Sequence, residues 1–185
     1  SIIHIHRRKP DNPSEMSLSA EDYLEVNAAI REVCPKIIIN NTVMGGRFIN
    51  VVDGKVNLTD RLVGALPSRP EMASIDLFVH FFGHGKGANK DQEQDELNAG
   101  GYLTNFDDEM AALDLCEKYG VKPEFEICSI NDLKLFYQLH KVRKFKRPWF
   151  QLLVNGQGVM PTPTVITEFS RMLPADGMLS IIGLA

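Results

Sequence analysis

Apolar, largely β-branched runs recur along this chain, and a helical pattern stands between most successive pairs of them. That alternation restricts the fold more than any other feature. The runs open with Ile2-Ile-His-Ile5, continue with Ile37-Ile-Ile-Asn-Asn-Thr42, and recur over 72–81, 124–128, 150–155 and 179–184. Strands that are apolar on nearly every residue are covered on both faces, which points to a parallel sheet with helices packed over it. Ser19 reads as an N-cap, with Asp22 three residues on and Tyr23, Val26, Asn27 and Ile30 at helical spacing before Pro35. Asn105 caps a second helix over 105–119, with Asp107, Asp108 and Glu109 in its first turn and Gly120 as its stop. Further helices are expected over 59–66, 132–142 and 164–173, and 83–101 reads as a polar excursion with little core material. The basic segment 141–147 reads as a solvated helix end leading into Pro148.

The expected class is therefore α/β, one domain over residues 1–185. No Gly-X-Gly-X-X-Gly follows the first strand, and Gly83-His-Gly-Lys-Gly87 lacks the spacing and the Ser/Thr of a P-loop, so a nucleotide-binding sheet is disfavoured. A closed (β/α)8 barrel needs eight units and about 250 residues. This chain has 185 residues and is two units short.

Composition excludes several functions. A net charge of -4 and a pI near 5.7 disfavour nucleic-acid binding, which needs a basic stripe. No apolar stretch approaches the roughly 20 residues of a membrane span, and no signal-peptide pattern opens the chain, so a cytoplasmic protein is expected. Cys34, Cys116 and Cys128 are odd in number, far apart and in apolar company, and they read as buried free thiols.

The polar residues collect where a barrel keeps its chemistry, at the C-terminal ends of strands. His4 and His6 project from one face of the first strand, and two imidazoles on one face can hold a metal that needs a third ligand from elsewhere. The second strand ends in Asn40, Asn41 and Thr42 before Gly45-Gly46, a turn whose N–H groups can hold a carboxylate or phosphate. Ser74 and Asp76 lie on the third strand, with His80 beyond them. Glu124 and Glu126 share one face of the fourth, and a buried strand carboxylate such as Glu126 requires a partner.

Together these motifs resemble the zinc-dependent β-keto acid cleavage enzymes. The resemblance runs through His4-Ile-His6 and Pro10-Asp-Asn-Pro-Ser14, then Ile30-Arg-Glu-Val-Cys-Pro-Lys-Ile-Ile-Ile-Asn40 with Thr42 and Gly45-Gly46. It continues through Arg69-Pro-Glu-Met-Ala-Ser-Ile-Asp76, Gly120-Val-Lys-Pro-Glu-Phe-Glu126, Phe150-Gln-Leu-Leu-Val154 and Pro161-Thr-Pro163. It implies a (β/α)8 TIM-type barrel of which this chain carries strands 2 to 7, the first and last being absent. It also implies a retro-Claisen exchange in which a β-keto acid reacts with acyl-CoA to give acetoacetate and a new CoA thioester. By resemblance His4 and His6 are zinc ligands, and Thr42, Gly45 and Gly46 hold the substrate carboxylate. Ser74 and Asp76 contribute to the same pocket, and Glu126 is a catalytic glutamate orienting an imidazole or bonding the substrate. A homo-oligomer is implied as well.

The chain also departs from the family pattern. The family's third zinc ligand and a nearby acid lie on a Gly-Leu-Glu-Asp segment that has no counterpart here, nor does the acidic first strand that reads the substrate's distal end. Phe81 stands where a polar Asn is expected, and Ser129-Ile-Asn131 replaces a more acidic turn. The competing readings are a catalytically incomplete barrel with a binding role and a metal-dependent hydrolase on the same fold. The latter calls for more histidines at later strand ends than this chain supplies.

Overall fold

The computed structural model describes residues 1–13, 17–42, 47–52, 55–60, 66–77, 80–83, 99–154 and 158–183, with side chains described outside 47–60, 80–83 and 99–103. In chain order the elements are β1 (Ile2–Ile5), α1 (Ala20–Val33), β2 (Ile38–Thr42), β3 (Arg47–Val52), β4 (Lys55–Asp60), β5 (Met72–Asp76), β6 (His80–Gly83) and β7 (Ala99–Leu103). They continue with α2 (Phe106–Tyr119), β8 (Lys122–Ile127), α3 (Ile130–Arg143), β9 (Trp149–Val154), α4 (Pro163–Met172) and β10 (Met178–Gly183). Six strands form one parallel sheet in the order β1-β2-β5-β8-β9-β10, the curled partial barrel expected of an α/β chain.

The helices begin where the sequence provides caps. Ser19 accepts from the Asp22 amide at 3.3 Å, and Asn105 accepts from the Asp107 and Asp108 amides at 3.0 Å each. Gly120 closes α2 at φ +69°, a left-handed conformation that costs glycine nothing. Asp132 completes a capping box with Ser129 at the start of α3. Arg143 ties the end of α3 to Asp114 and Glu117 of α2, so the basic segment is a helix end as expected.

Three expectations are corrected by a second sheet. β4, β3, β7 and β6 pair antiparallel in that order. The helix expected over 59–66 is replaced in its first two residues by the end of β4, while 61–65 lie outside the described residues. The strand expected over 72–81 stops at Asp76, and His80 and Phe81 belong to β6 in the other sheet. The end of the expected excursion over 83–101 enters β7. The physical signal was present: Val56 and Leu58 alternate with Lys55, Asn57 and Thr59, and Val52 pairs with Lys55 across an Asp53-Gly54 dipeptide that favours two-residue hairpins. Cys34 is also corrected, because it is exposed at the end of α1 while Cys116 is buried and Cys128 half-buried.

The two faces of the parallel sheet differ in kind. Ala73, Ile75, Leu77, Phe125, Ile127, Phe150, Leu152 and Val154 point to the helices and merge with Tyr23 of α1, Ala112, Leu113 and Cys116 of α2, Leu133, Phe136 and Leu139 of α3, and Phe169 of α4. The alternate residues His4, Asn40, Thr42, Ser74, Asp76, Glu124, Glu126, Gln151 and Ser180 fall on the opposite, inner face.

Two positions outside the core yield tests of this packing. A Cβ built on Gly158 would sit 2.1 Å from the Leu153 carbonyl oxygen, where Val159 N donates to that same oxygen at 2.9 Å. Gly158→Ala is expected to destabilise by about 1–3 kcal/mol, read by denaturant unfolding. Glu71 accepts from the Ile39 amide at 2.9 Å and pairs with Arg31 at 2.7 Å, tying the start of β2 to α1 and β5. Burial pushes its carboxyl up, but the Ile39 amide, its own amide and Arg31 outweigh burial and leave it below the ordinary value of 4.5. The stability that Glu71 supplies is present above that ordinary value and is lost as pH falls through the lower folded value. Glu71→Gln should cost about 0.5 kcal/mol at neutral pH, discounted for solvent exposure, with the difference from wild type vanishing in acid.

Candidate active site

The inner face carries a connected polar cluster drawn from five strands. His4 on β1 places its Nδ1 3.2 Å from Ser74 Oγ on β5, and its Nε2 2.8 Å from His6 Nε2. Ser74 Oγ also reaches Glu124 Oε2 at 3.1 Å and Asn40 Oδ1 at 3.3 Å. Asn40 donates its Nδ2 proton to Glu124 Oε2 at 2.5 Å, and Ser180 on β10 donates to Glu124 Oε1 at 3.4 Å. Glu124, 3% exposed, thereby gathers donors from β2, β5 and β10.

Glu126 lies two residues further along β8, in register with Asp76 on β5 and Gln151 on β9. Its carboxyl is pushed well up, by burial first and then by the charges of Asp76 and Glu124, and it hydrogen-bonds Asp76. Burial beside two other carboxyl groups thus favours the neutral form of Glu126. Glu124 is also raised, by burial, against the hydrogen bonds from Asn40, Ser74 and Ser180. The His4 imidazole is pushed down to about 4 by burial and by the facing His6, so it is neutral near pH 7, the state in which imidazole accepts a metal.

The residues fit a metal ion. The Nε2 atoms of His4 and His6 converge, and two nitrogens on one tetrahedral zinc would stand about 3.3 Å apart, close to the 2.8 Å seen here. His4, Glu124 and Glu126 also offer ligand atoms that all lie within 4.8 Å of one another. Nitrogen and carboxylate donors of this kind suit zinc. Two carboxylates of β8 thus lie near His4 as well.

Other expected site residues fall as follows. Thr42 is buried beside Ser74, its register partner, at the C-terminal end of β2. Gly45 and Gly46 lie outside the described residues. Asn41 turns to the opposite face and donates to Ser68 at 3.0 Å. Sequence reasoning placed Glu124 on the same face as Glu126 but gave it no role, and it passed over Ser180 and Gln151. Alternation along β8, β9 and β10 was the available signal, since it sends all three inward with Glu126.

A parallel sheet with helices on one face, and imidazoles and carboxylates gathered on the other toward its strand ends, is the arrangement of a barrel-type enzyme. The sequence model of the beta-keto acid cleavage enzyme family matches residues 1–185, and the chain belongs to that family. No curated protein matches the chain. Among solved structures it is similar to the "Binary complex of ObcA with oxaloacetate", at 17% identity and a TM-score of 0.54, over 83% of this chain and 33% of that one. The "Ternary complex of ObcA with C4-CoA adduct and oxalate" gives the same identity, coverage and TM-score. The "Apo structure of ObcA" follows at 16% identity and a TM-score of 0.54, over 83% and 32%. These likenesses establish a shared fold. The chain spans about a third of the length of those structures.

Proposed function

We propose that the protein to which this chain belongs cleaves a β-keto acid with an acyl-CoA, exchanging acyl groups by a retro-Claisen reaction that yields acetoacetate and a new CoA thioester, with zinc as cofactor. The observation that carries this reading is the convergence of His4, His6, Ser74, Asp76 and Glu126 on one inner face in a chain of the β-keto acid cleavage family. The ObcA complexes support it, since oxaloacetate is chemically a β-keto acid and the second complex contains a CoA adduct.

When bound, zinc supplies Lewis acidity toward the keto carbonyl. His4 and His6 would hold it, and Glu126 lies close to His4 on the same face. Thr42, with Gly45 and Gly46, is assigned to the substrate carboxylate, and Ser74 and Asp76 line the same pocket. The hydrogen-bonded Glu126–Asp76 pair can take the proton from the α-carbon of the β-keto acid before that carbon is acylated and return it to the acetoacetate enolate released by carbon–carbon cleavage, general base and then general acid catalysis. A homo-oligomer is part of the same reading, as is a cytoplasmic enzyme; among the described residues no helix is long and apolar enough to cross a membrane.

The test is a panel of β-keto acids with acetyl-CoA and the zinc-loaded protein, following acetoacetate and the new thioester by mass spectrometry. Turnover that requires the acyl-CoA supports the proposal. Hydrolysis without CoA would move the assignment to a metal-dependent hydrolase, and no turnover across the panel would leave a binding role.

A further inference from the structure

The inner-face cluster contains more order than metal binding alone requires, and the order is centred on Ser74. Its hydroxyl stands 3.1 Å from Glu124 Oε2, 3.2 Å from His4 Nδ1 and 3.3 Å from Asn40 Oδ1. A hydroxyl has one proton to donate and lone pairs with which to accept. Toward Ser74, the carboxylate of Glu124 and the amide oxygen of Asn40 are acceptors only, whereas His4 Nδ1 can take either role.

Glu124 wins the proton. It offers the shortest of the three contacts and the more strongly accepting oxygen, because a hydrogen bond to a carboxylate is roughly twice as strong as one between neutral groups. Asn40 offers Ser74 only a neutral amide oxygen, at the longest of the three distances. Once its proton points to Glu124, Ser74 can only accept from His4. The imidazole proton then sits on Nδ1, and the Nε2 lone pair is left facing His6 Nε2 at 2.8 Å.

We propose that Glu124 is a positioning residue that acts through Ser74 to fix the His4 tautomer, keeping the Nε2 lone pair aimed at the metal position. The inference rests on the reading of His4 as a metal ligand, but the tautomer itself can be measured without any metal. Ligating histidines are commonly oriented by a partner on the second ring nitrogen, and losing such a partner costs about 10–100-fold in metal affinity. In Glu124→Gln the new amide can donate to Ser74 Oγ, which frees the serine proton to point at His4 Nδ1. The imidazole proton then moves to Nε2, where it competes with the ion. Ser74→Ala deletes the relay and removes the preference altogether.

The experiment is long-range 15N–1H correlation spectroscopy on the full chain, 15N-labelled at histidine and treated with chelator. Wild type is expected to show His4 protonated on Nδ1. Glu124→Gln is expected to move that proton to Nε2 and Ser74→Ala to give a mixture, with near-native circular dichroism reporting the fold. Zinc affinity, measured by competition with a chromophoric chelator, should fall about 10–100-fold in both variants and recover in Glu124→Asp. His4 protonated on Nε2 in wild type would overturn the proposal without any variant. So would an unchanged Nδ1 proton in a folded Glu124→Gln or Ser74→Ala. If wild type binds no zinc while its His4 tautomer responds as described, the metal reading fails and the relay stands.

Discussion

Phe136→Ala should lower the free energy of unfolding by about 3–5 kcal/mol, the range for removing a large side chain from a core that cannot fully collapse. In a chain of this length that corresponds to a fall of roughly 6–20 °C in Tm. Phe136 is fully buried on α3, and its ring meets Phe125 edge-on at 5.0 Å and Phe150 edge-on at 4.6 Å. It also stacks on His140 at 5.5 Å and Phe145 at 5.7 Å. These contacts fasten α3 to β8 and β9, the strands that carry Glu124, Glu126 and Gln151 on their other face. Aromatic pairs of this kind add about 0.5–1.5 kcal/mol beyond the area they bury. Phe136→Leu keeps most of the volume and should cost under about 1.5 kcal/mol. A loss below 1 kcal/mol for the alanine variant would mean that the aromatic cluster does not anchor the sheet.

Glu126→Gln should reduce kcat by about 10²–10⁴-fold while changing KM far less, as expected when a positioned acid or base is removed. Glutamine preserves shape and can still hydrogen-bond Asp76, so the loss isolates the ionisable carboxyl. The measurement is steady-state turnover of the zinc-loaded protein, with zinc content determined on the same sample. A variant that retains zinc and loses only KM would place Glu126 in substrate binding alone.

The parallel half of this fold was legible because its rule is local. Ile38 and Ile39 are consecutive, Phe125 and Ile127 flank Glu126, Phe150 and Leu152 flank Gln151, and Ser19, Asn105, Ser129 and Gly120 punctuate the helices between these strands. The antiparallel sheet was missed because β4 and β6 were read in the light of their neighbours. The apolar pattern of β5 was carried through Asp76 into β6, although β6 pairs with β7 rather than with β8. The site divided in the same way. His-X-His and the same-face placement of Glu124 and Glu126 follow from a period of two, but the hub does not. Glu124 meets Asn40 across 84 residues, Ser180 across 56 and Ser74 across 50. Only the strand order of the sheet brings those residues together, and no short pattern encodes it.

The unequal settings of the three cysteines have a practical consequence. Burial pushes the Cys116 thiol up to about 12, and burial with Asp132 beside it pushes Cys128 up as well, so neither forms much thiolate at neutral pH. Cys34 is exposed where α1 ends, ahead of β2 and therefore at the opposite end of that strand from Thr42. A maleimide dye or spin label added at neutral pH should react there first. Within this chain the unmodified sequence thus provides a single reporting position, from which the distance to a paramagnetic ion added to test the proposed site at His4 and His6 can be measured without substitution.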